Sequence, residues 1–517
     1  MRLPCLVGVY FNRLPMAAPP FPSNEAEAHT TCRSGALFAH ALLSAAYRSR
    51  SPIRMRRTWL LLLWFVAWTA AQAAAPAPLA VPPLEFRERV LANGLRVVTL
   101  EDHASPTVSV QMWYEVGGKD DPPGRSGFAH LFEHLMFKST RYLKPEQFDR
   151  MTEDVGGQNN AGTGDDSTDY YNVVPSNHLE RLLWAEAERL SNLNVDEAGF
   201  QSERAVVQEE YRERVLASPY GRFYEAIAPR SYAVHPYRRG VIGNIDELNA
   251  ASLDDVRAFH RTYYRPDNAI LIVTGDFDPK ELDAWIDRYF GPIPRPATPI
   301  PRVTTVEPPR TRDAVYRETG PNVPLPAVAL TWLAPPARSP DAAALTVAAA
   351  LLGHGESSRL NQALVYRAEI AQTASFAADL RVDTGLFVAY AIAATGAAPD
   401  TLARALRKEI DKLANAPVPA GELAKVKTQL VTQALVERQT PLGKGMALGE
   451  AIIARGDARR ANDELAELQA VTPADVQRVV RKYLTGAPQV TIEYTQQAAA
   501  KDGAGRASAD KPVGGGK

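Results

Sequence analysis

Cysteine is nearly absent. The 517-residue chain has two, Cys5 and Cys32, and none from residue 33 onward. That excludes a disulfide scaffold, a cysteine-based zinc site and a cysteine nucleophile in the body of the protein. An excess of either charge is also missing, with 58 Lys and Arg against 59 Asp and Glu. A nucleic-acid binder that works by bulk attraction to phosphate therefore has no support. The apolar run 59–68 (WLLLLWFVAW) is too short to span a bilayer comfortably. What is present is 45% hydrophobic and 23% charged residues, the balance of a soluble globular protein. The length implies two to four domains.

The beginning of the chain reads as an address. Residues 1–54 lack periodicity and are expected to be a mis-assigned or disordered extension. Met55-Arg56-Arg57 is a charged n-region, 59–68 a short h-region and Ala71-Gln72-Ala73 an A-x-A cleavage site. Together, residues 55–73 describe a secretory signal peptide and predict a periplasmic or otherwise exported protein. An uncleaved run would instead tether the protein to a membrane. Removing residues 1–73 takes away eight arginines and two glutamates, which leaves the remainder acidic. The tail 497–517, with its Gly, Ala, Ser and Lys, is expected to be disordered.

An internal repeat organises the rest. At an offset of 220 residues, Ser252-Leu-Asp-Asp255-Val256 with Arg261 and Tyr263 matches Thr472-Pro-Ala-Asp475-Val476 with Arg481 and Tyr483. Each segment opens on an N-cap residue, continues as an amphipathic helix and is followed by an apolar strand. The same offset pairs 107–114 (TVSVQMWY) with 327–334 (AVALTWLA), each entered through a proline, Pro106 and Pro326. A Pro-rich linker, 292–311, separates the halves. The expected fold class is α+β. Two homologous domains, 84–291 and 312–496, would each be a mainly antiparallel sheet with helices packed on it.

The chemistry-bearing segment is Ser126-Gly-Phe-Ala-His130-Leu-Phe-Glu133-His134-Leu-Met-Phe137, with H-x-x-E-H spacing. On a helix, His130 and His134 project from one face, one turn apart. Two imidazoles so placed can hold a Zn²⁺ ion at about 2.0–2.1 Å each. Glu133 lies beside them, placed to act on a water. The neighbours are Phe and Leu, and three ionisable side chains on so apolar a helix need a reason. The inverted spacing is a metallopeptidase signature. A catalytic zinc site needs a third protein ligand. In 203–213 (ERAVVQEEYRE), Glu203 and Glu210 share a helix face, while Glu209 points about 100° away. Val206 and Val207 supply the apolar stripe. Glu210 is the better ligand and Glu203 a supporting carboxylate, although a solvated charged helix has the same local pattern.

Taken together, these motifs resemble the insulinase/pitrilysin peptidase family, in its short bacterial and mitochondrial-processing-peptidase-like branch. Its inverted H-x-x-E-H is followed about 76 residues later by a Glu ligand, and His134 to Glu210 is such a step. The family's E-R-x-V-x-x-x-E matches Glu203–Glu210, and G-G-x-x-N-A-x-T matches Gly156-Gly157 with Asn160, Ala161 and Thr163. G-x-S-S-R-L matches Gly355 to Leu360.

The resemblance implies a zinc endopeptidase with one Zn²⁺ per chain, held by His130, His134 and Glu210. Glu133 would be the general base, Glu203 would orient the ligands, and Asn160, Ala161 and Thr163 would pair with extended peptide substrate. One departure matters. Active members use an Arg and a Tyr seven residues apart in the second domain, and here Val365 and Gln372 hold those positions, with Tyr366 and Arg367 off register. The second half also lacks metal ligands, with Ala350, Gly353 and His354 opposite His130, Glu133 and His134. The expectation is a heterodimer in which a related subunit supplies the Arg/Tyr pair. The alternative is a non-catalytic scaffold subunit of the same fold.

Overall fold

A computed structural model describes residues 79–498. The expected extension 1–54, the signal peptide 55–73 and nearly all of the tail lie outside the described residues.

Two sheets form the frame. The first comprises β1 (Arg87–Val90), β2 (Arg96–Glu101), β3 (Thr107–Tyr114), β4 (Gln158–Thr163), β5 (Thr168–Pro175) and β6 (Ala269–Gly275), in the spatial order β1-β2-β6-β3-β5-β4. The second comprises β7 (Ala314–Gly320), β8 (Ala327–Ala334), β9 (Ala371–Asp379), β10 (Gly385–Ala393) and β11 (Val490–Gln496), ordered β7-β11-β8-β10-β9. With β1 set aside, the two orders are the same. The one parallel pair of each sheet, β2/β6 and β7/β11, also falls in the same place. The fold class is α+β, two mixed, mainly antiparallel sheets with helices, and the offset read from two short matches extends to the whole topology.

The central strands are unusual in their burial. Every residue of β6 is buried, and in β3 only Thr107 is not. A strand covered on one face alternates, whereas one covered on both faces does not. The first face of the first sheet carries its own helices. These include α1 (Phe128–Leu135), α2 (Glu197–Tyr211) and, beyond the next helix, α4 (Leu253–Tyr263). The intervening helix α3 (Gly221–Ser231) leaves its own half and packs Phe223 and Ile227 on Ala329, Val388 and Ile492 of the second sheet.

The exchange is reciprocal. Within the second half, α5 (Ala342–Gly353) packs on its own sheet, whereas α6 (Pro441–Arg455) lays Leu448 and Ile452 over Val98, Trp113 and Ile272 of the first. Helices α3 and α6 start 220 residues apart, so each is the other's counterpart. The close approach of α6 requires glycine. A Cβ at Gly449 would lie 2.3 Å from the Trp113 ring, and one at Gly445 2.2 Å from Gln111 Nε2. Polar groups beneath the helix are satisfied there. Gln111 Nε2 donates to the Leu442 carbonyl at 3.0 Å, and Trp113 Nε1 donates to Gln111 Oε1 at 3.0 Å.

The repeated helix starts are capped alike. The Ser252 hydroxyl accepts from the Asp255 amide before α4, and Thr472 does the same for Asp475 before α7 (Pro473–Val480).

Candidate metal and catalytic site

The site is built on α1, all eight residues of which are buried. Gly127 precedes it at φ 89° and has no side chain to cap it. Asp121 does so from outside the helix, its carboxylate accepting from the amides of Gly127 at 2.6 Å and Ala129 at 2.8 Å. A carboxylate also suits the positive end of the helix. The aromatic neighbours hold the opposite face, where Phe132 stacks on His260 with ring centroids 5.2 Å apart.

His130 and His134 lie one turn apart with ring centroids 5.0 Å apart and planes at 82°. Helix α2 brings Glu210 to both. Its Oε2 is 3.4 Å from His130 Nε2 and 3.6 Å from His134 Nε2. Arg214, one turn further along the chain, is 2.9 Å from Glu210 Oε1. Glu203, two turns earlier on the same face, reaches His134 Nδ1 at 3.3 Å. Lys138 Nζ holds its other oxygen at 2.5 Å. Glu209 faces outward and pairs with Arg212. Val207 is buried, but Val206 is 46% exposed, so the expected two-valine stripe is one valine wide. The buried face of the helix runs through Phe200, Glu203 and Val207, and Val206 lies about 100° from Val207, on its solvent side.

The electrostatics follow from burial. Burial pushes His130 down to about 3, helped by the nearby His134 charge. For His134 burial acts in the same direction, but the carboxylates of Glu203 and Glu210 outweigh it and hold the ring up at about 9. Burial raises Glu210, yet His134, His130 and Arg214 together keep it below the ordinary carboxylate range. Glu133 is 1% exposed, and burial lifts it to about 7 against the opposing pull of His134 and of a hydrogen bond from Thr163.

These residues fit a divalent metal. Both ring nitrogens of His130 and Nε2 of His134 are buried with no hydrogen-bond partner among the described residues. An orphaned buried acceptor is costly unless something fills it. His130, His134 and Glu210 form the one three-residue cluster of metal-ligating type among the described residues. Their 3.4 and 3.6 Å separations match the edge of a tetrahedron with zinc-type bond lengths, about 3.4 Å.

Among the other expected site residues, Asn160 is half-buried and Ala161 buried on β4, an edge strand of its sheet. Thr163 is fully buried and donates to Glu133 Oε2 at 2.5 Å, so its side chain faces Glu133 and not the open edge. Asp121, Lys138 and Arg214 were not singled out from the sequence. For one of them the signal was present, because Arg214 follows Glu210 by four residues, the spacing of helix neighbours.

The second half shows why it holds no such site. Gly353 stands opposite Glu133 in the repeat, and a Cβ there would be 2.1 Å from the Phe376 backbone nitrogen. At Gly353 helix α5 lies too close to β9 for a side chain. Val365 is half-buried and Gln372 exposed, at the positions expected for the Arg/Tyr pair.

Comparison with known proteins agrees with this geometry. Residues 96–239 match the insulinase (peptidase family M16) domain, and residues 250–430 match the peptidase M16 inactive domain. The zinc protease PqqE of Helicobacter pylori is 31% identical over 411 residues, covering 78% of this chain and 91% of that protein. The chain belongs to the M16 family. Another M16 relative, the mitochondrial-processing peptidase subunit beta of Blastocladiella emersonii, is 27% identical over 430 residues, covering 80% of this chain and 90% of that one. A crystal structure of a protease from Helicobacter pylori superposes with a TM-score of 0.77 at 28% identity, over 80% of this chain and all of that one. The periplasmic protease PqqL of Escherichia coli shares the fold, with a TM-score of 0.66 at 18% identity over 81% of this chain and 48% of that one.

Proposed function

We propose that this M16 protein is an exported zinc endopeptidase that hydrolyses short or unfolded peptides as the zinc-bearing subunit of a heterodimer. The observation that carries the reading is the convergence of two buried imidazoles, whose Nε2 atoms have no hydrogen-bond partner, on Glu210, with Glu133 beside them. His130, His134 and Glu210 hold one Zn²⁺ per chain. The ion supplies Lewis-acid polarisation of a carbonyl and acidifies water. Glu133 takes a proton from the attacking water and returns it to the leaving amine, a task suited to a carboxyl lifted to about 7. Glu203, fixed by Lys138, accepts from His134 Nδ1, which leaves Nε2 as the ligating nitrogen. The free edge of β4, at Asn160, Ala161 and Thr163, accepts extended peptide by strand addition. Residues 84–291 and 312–496 act as the two homologous domains joined by the linker 292–311.

Val365 and Gln372 support the need for a partner, because neither is the Arg or Tyr expected at its position. A related M16 subunit carrying that pair completes the site. The likeness to a mitochondrial-processing peptidase beta subunit is consistent with such pairing. Residues 55–73 support export, and the exported form begins near Ala74. Assays of the purified chain alone and with a related subunit test the arrangement. The pair cleaves a fluorogenic peptide and the lone chain does not, and full activity from the lone chain would end the partner requirement. N-terminal sequencing of the exported protein tests the address. The same two substitutions also favour a second reading, a non-catalytic scaffold, which predicts no hydrolysis under either condition.

A further inference from the structure

The Glu133 carboxylate sits at the end of a side chain whose last torsion is broad. A base that must take a proton in one direction needs that torsion held. The described hydrogen bond to it comes from the Thr163 hydroxyl, 2.5 Å from Oε2. Thr163 closes β4, and the turn that follows is clamped. Gly118 N donates to the Gly164 carbonyl at 3.0 Å, and Gly164 N donates to the Ser167 carbonyl at 2.8 Å. Arg381 of the second half holds Asp165 at 2.9 Å. Lys119 holds Asp166 at 2.7 Å, and the Tyr237 hydroxyl donates to Asp166 at 2.5 Å. The Val382 amide donates to the same carboxylate at 3.1 Å. The hydroxyl that meets Glu133 is therefore anchored from both halves of the molecule.

We propose that Thr163 is a positioning residue that fixes the Glu133 carboxylate through Oε2, so that the edge strand β4 also aims the base. This rests on the peptidase reading of the site. The bond occupies Oε2 and leaves proton transfer to Oε1. Because the Thr163 hydroxyl bonds Glu133, which is not among the clustered metal-ligating residues, its loss acts on the chemical step and not on metal retention.

The test compares Thr163→Val, which keeps the shape and removes the hydroxyl, with Thr163→Ser, which keeps the hydroxyl. Each variant is assayed on a fluorogenic peptide under the conditions in which the wild type is active. Thr163→Val lowers kcat about 10- to 100-fold with KM and bound zinc unchanged, and Thr163→Ser restores most of the loss. An unchanged kcat, or a loss carried by KM or by zinc content, would overturn the assignment. A second readout uses the metal-free chain. The shift in Tm caused by Thr163→Val is smaller when Glu133 is already alanine. Equal shifts in the two backgrounds would count against the contact. A wild type inactive both alone and with the related subunit overturns the peptidase reading, whereas an active wild type with an indifferent Thr163→Val overturns only this assignment.

Discussion

At the residue scale, four side chains were legible for a physical reason. Histidines four apart share a helix face, and so do carboxylates seven apart, so sequence spacing already encodes the geometry of His130, His134, Glu203 and Glu210. What spacing could not show was the supporting cast. Asp121 caps α1 from a preceding loop, and nothing local ties residue 121 to residue 129. Thr163 reaches Glu133 across 30 residues, through tertiary packing alone. The roles separate cleanly by mutation. Glu133→Gln keeps the shape and cannot accept the proton, so kcat falls by about 10²–10⁴-fold. Zinc content measured on the same sample stays at the wild-type level, because Glu133 is not among the clustered ligands.

At the element scale, the fold depends on how closely helices approach their sheets. Gly449 lets α6 lie flush on Trp113. Gly449→Val forces the helix away from Trp113 and costs about 1–3 kcal/mol, measurable by denaturant unfolding. The start of α5 gives a pH-dependent case. Asp341 is held by Arg478 at 2.6 Å, Lys482 at 2.9 Å and the Tyr483 hydroxyl at 2.8 Å. Although burial opposes it, these partners lower the carboxyl to about 2. The folded value lies below the unfolded one, so the contribution is complete above pH 4 and lost as pH falls toward 2. It amounts to roughly 2 kcal/mol. Asp341→Asn is accordingly less stable than wild type at pH 6, and the gap closes at pH 2.

At the scale of the whole molecule, the duplication was readable because capped helix starts and apolar strands recur at one offset. The exchange of α3 and α6 was not. Unbroken apolar runs such as 269–273 (AILIV) announce a strand buried on both faces, but they do not say which helix covers the second face. In the structure it is the other half's helix each time. The segment 292–311 is hydrogen-bonded to both halves, through Arg302 to Glu115 and Arg310 to Ser231 and Thr331, but it does not join them alone. A protease nick within it leaves the two fragments associated, co-eluting on size exclusion and unfolding in one transition. Fragments that separate under native conditions would contradict the exchanged packing.

The metal content of the chain tests the central claim most directly. Protein reconstituted with zinc and dialysed exhaustively should retain about one zinc per chain in the wild type and lose it in Glu210→Ala. A wild type that retains no divalent ion, or a Glu210→Ala variant that holds zinc as tightly as wild type, would contradict the assignment of His130, His134 and Glu210 to a single metal centre.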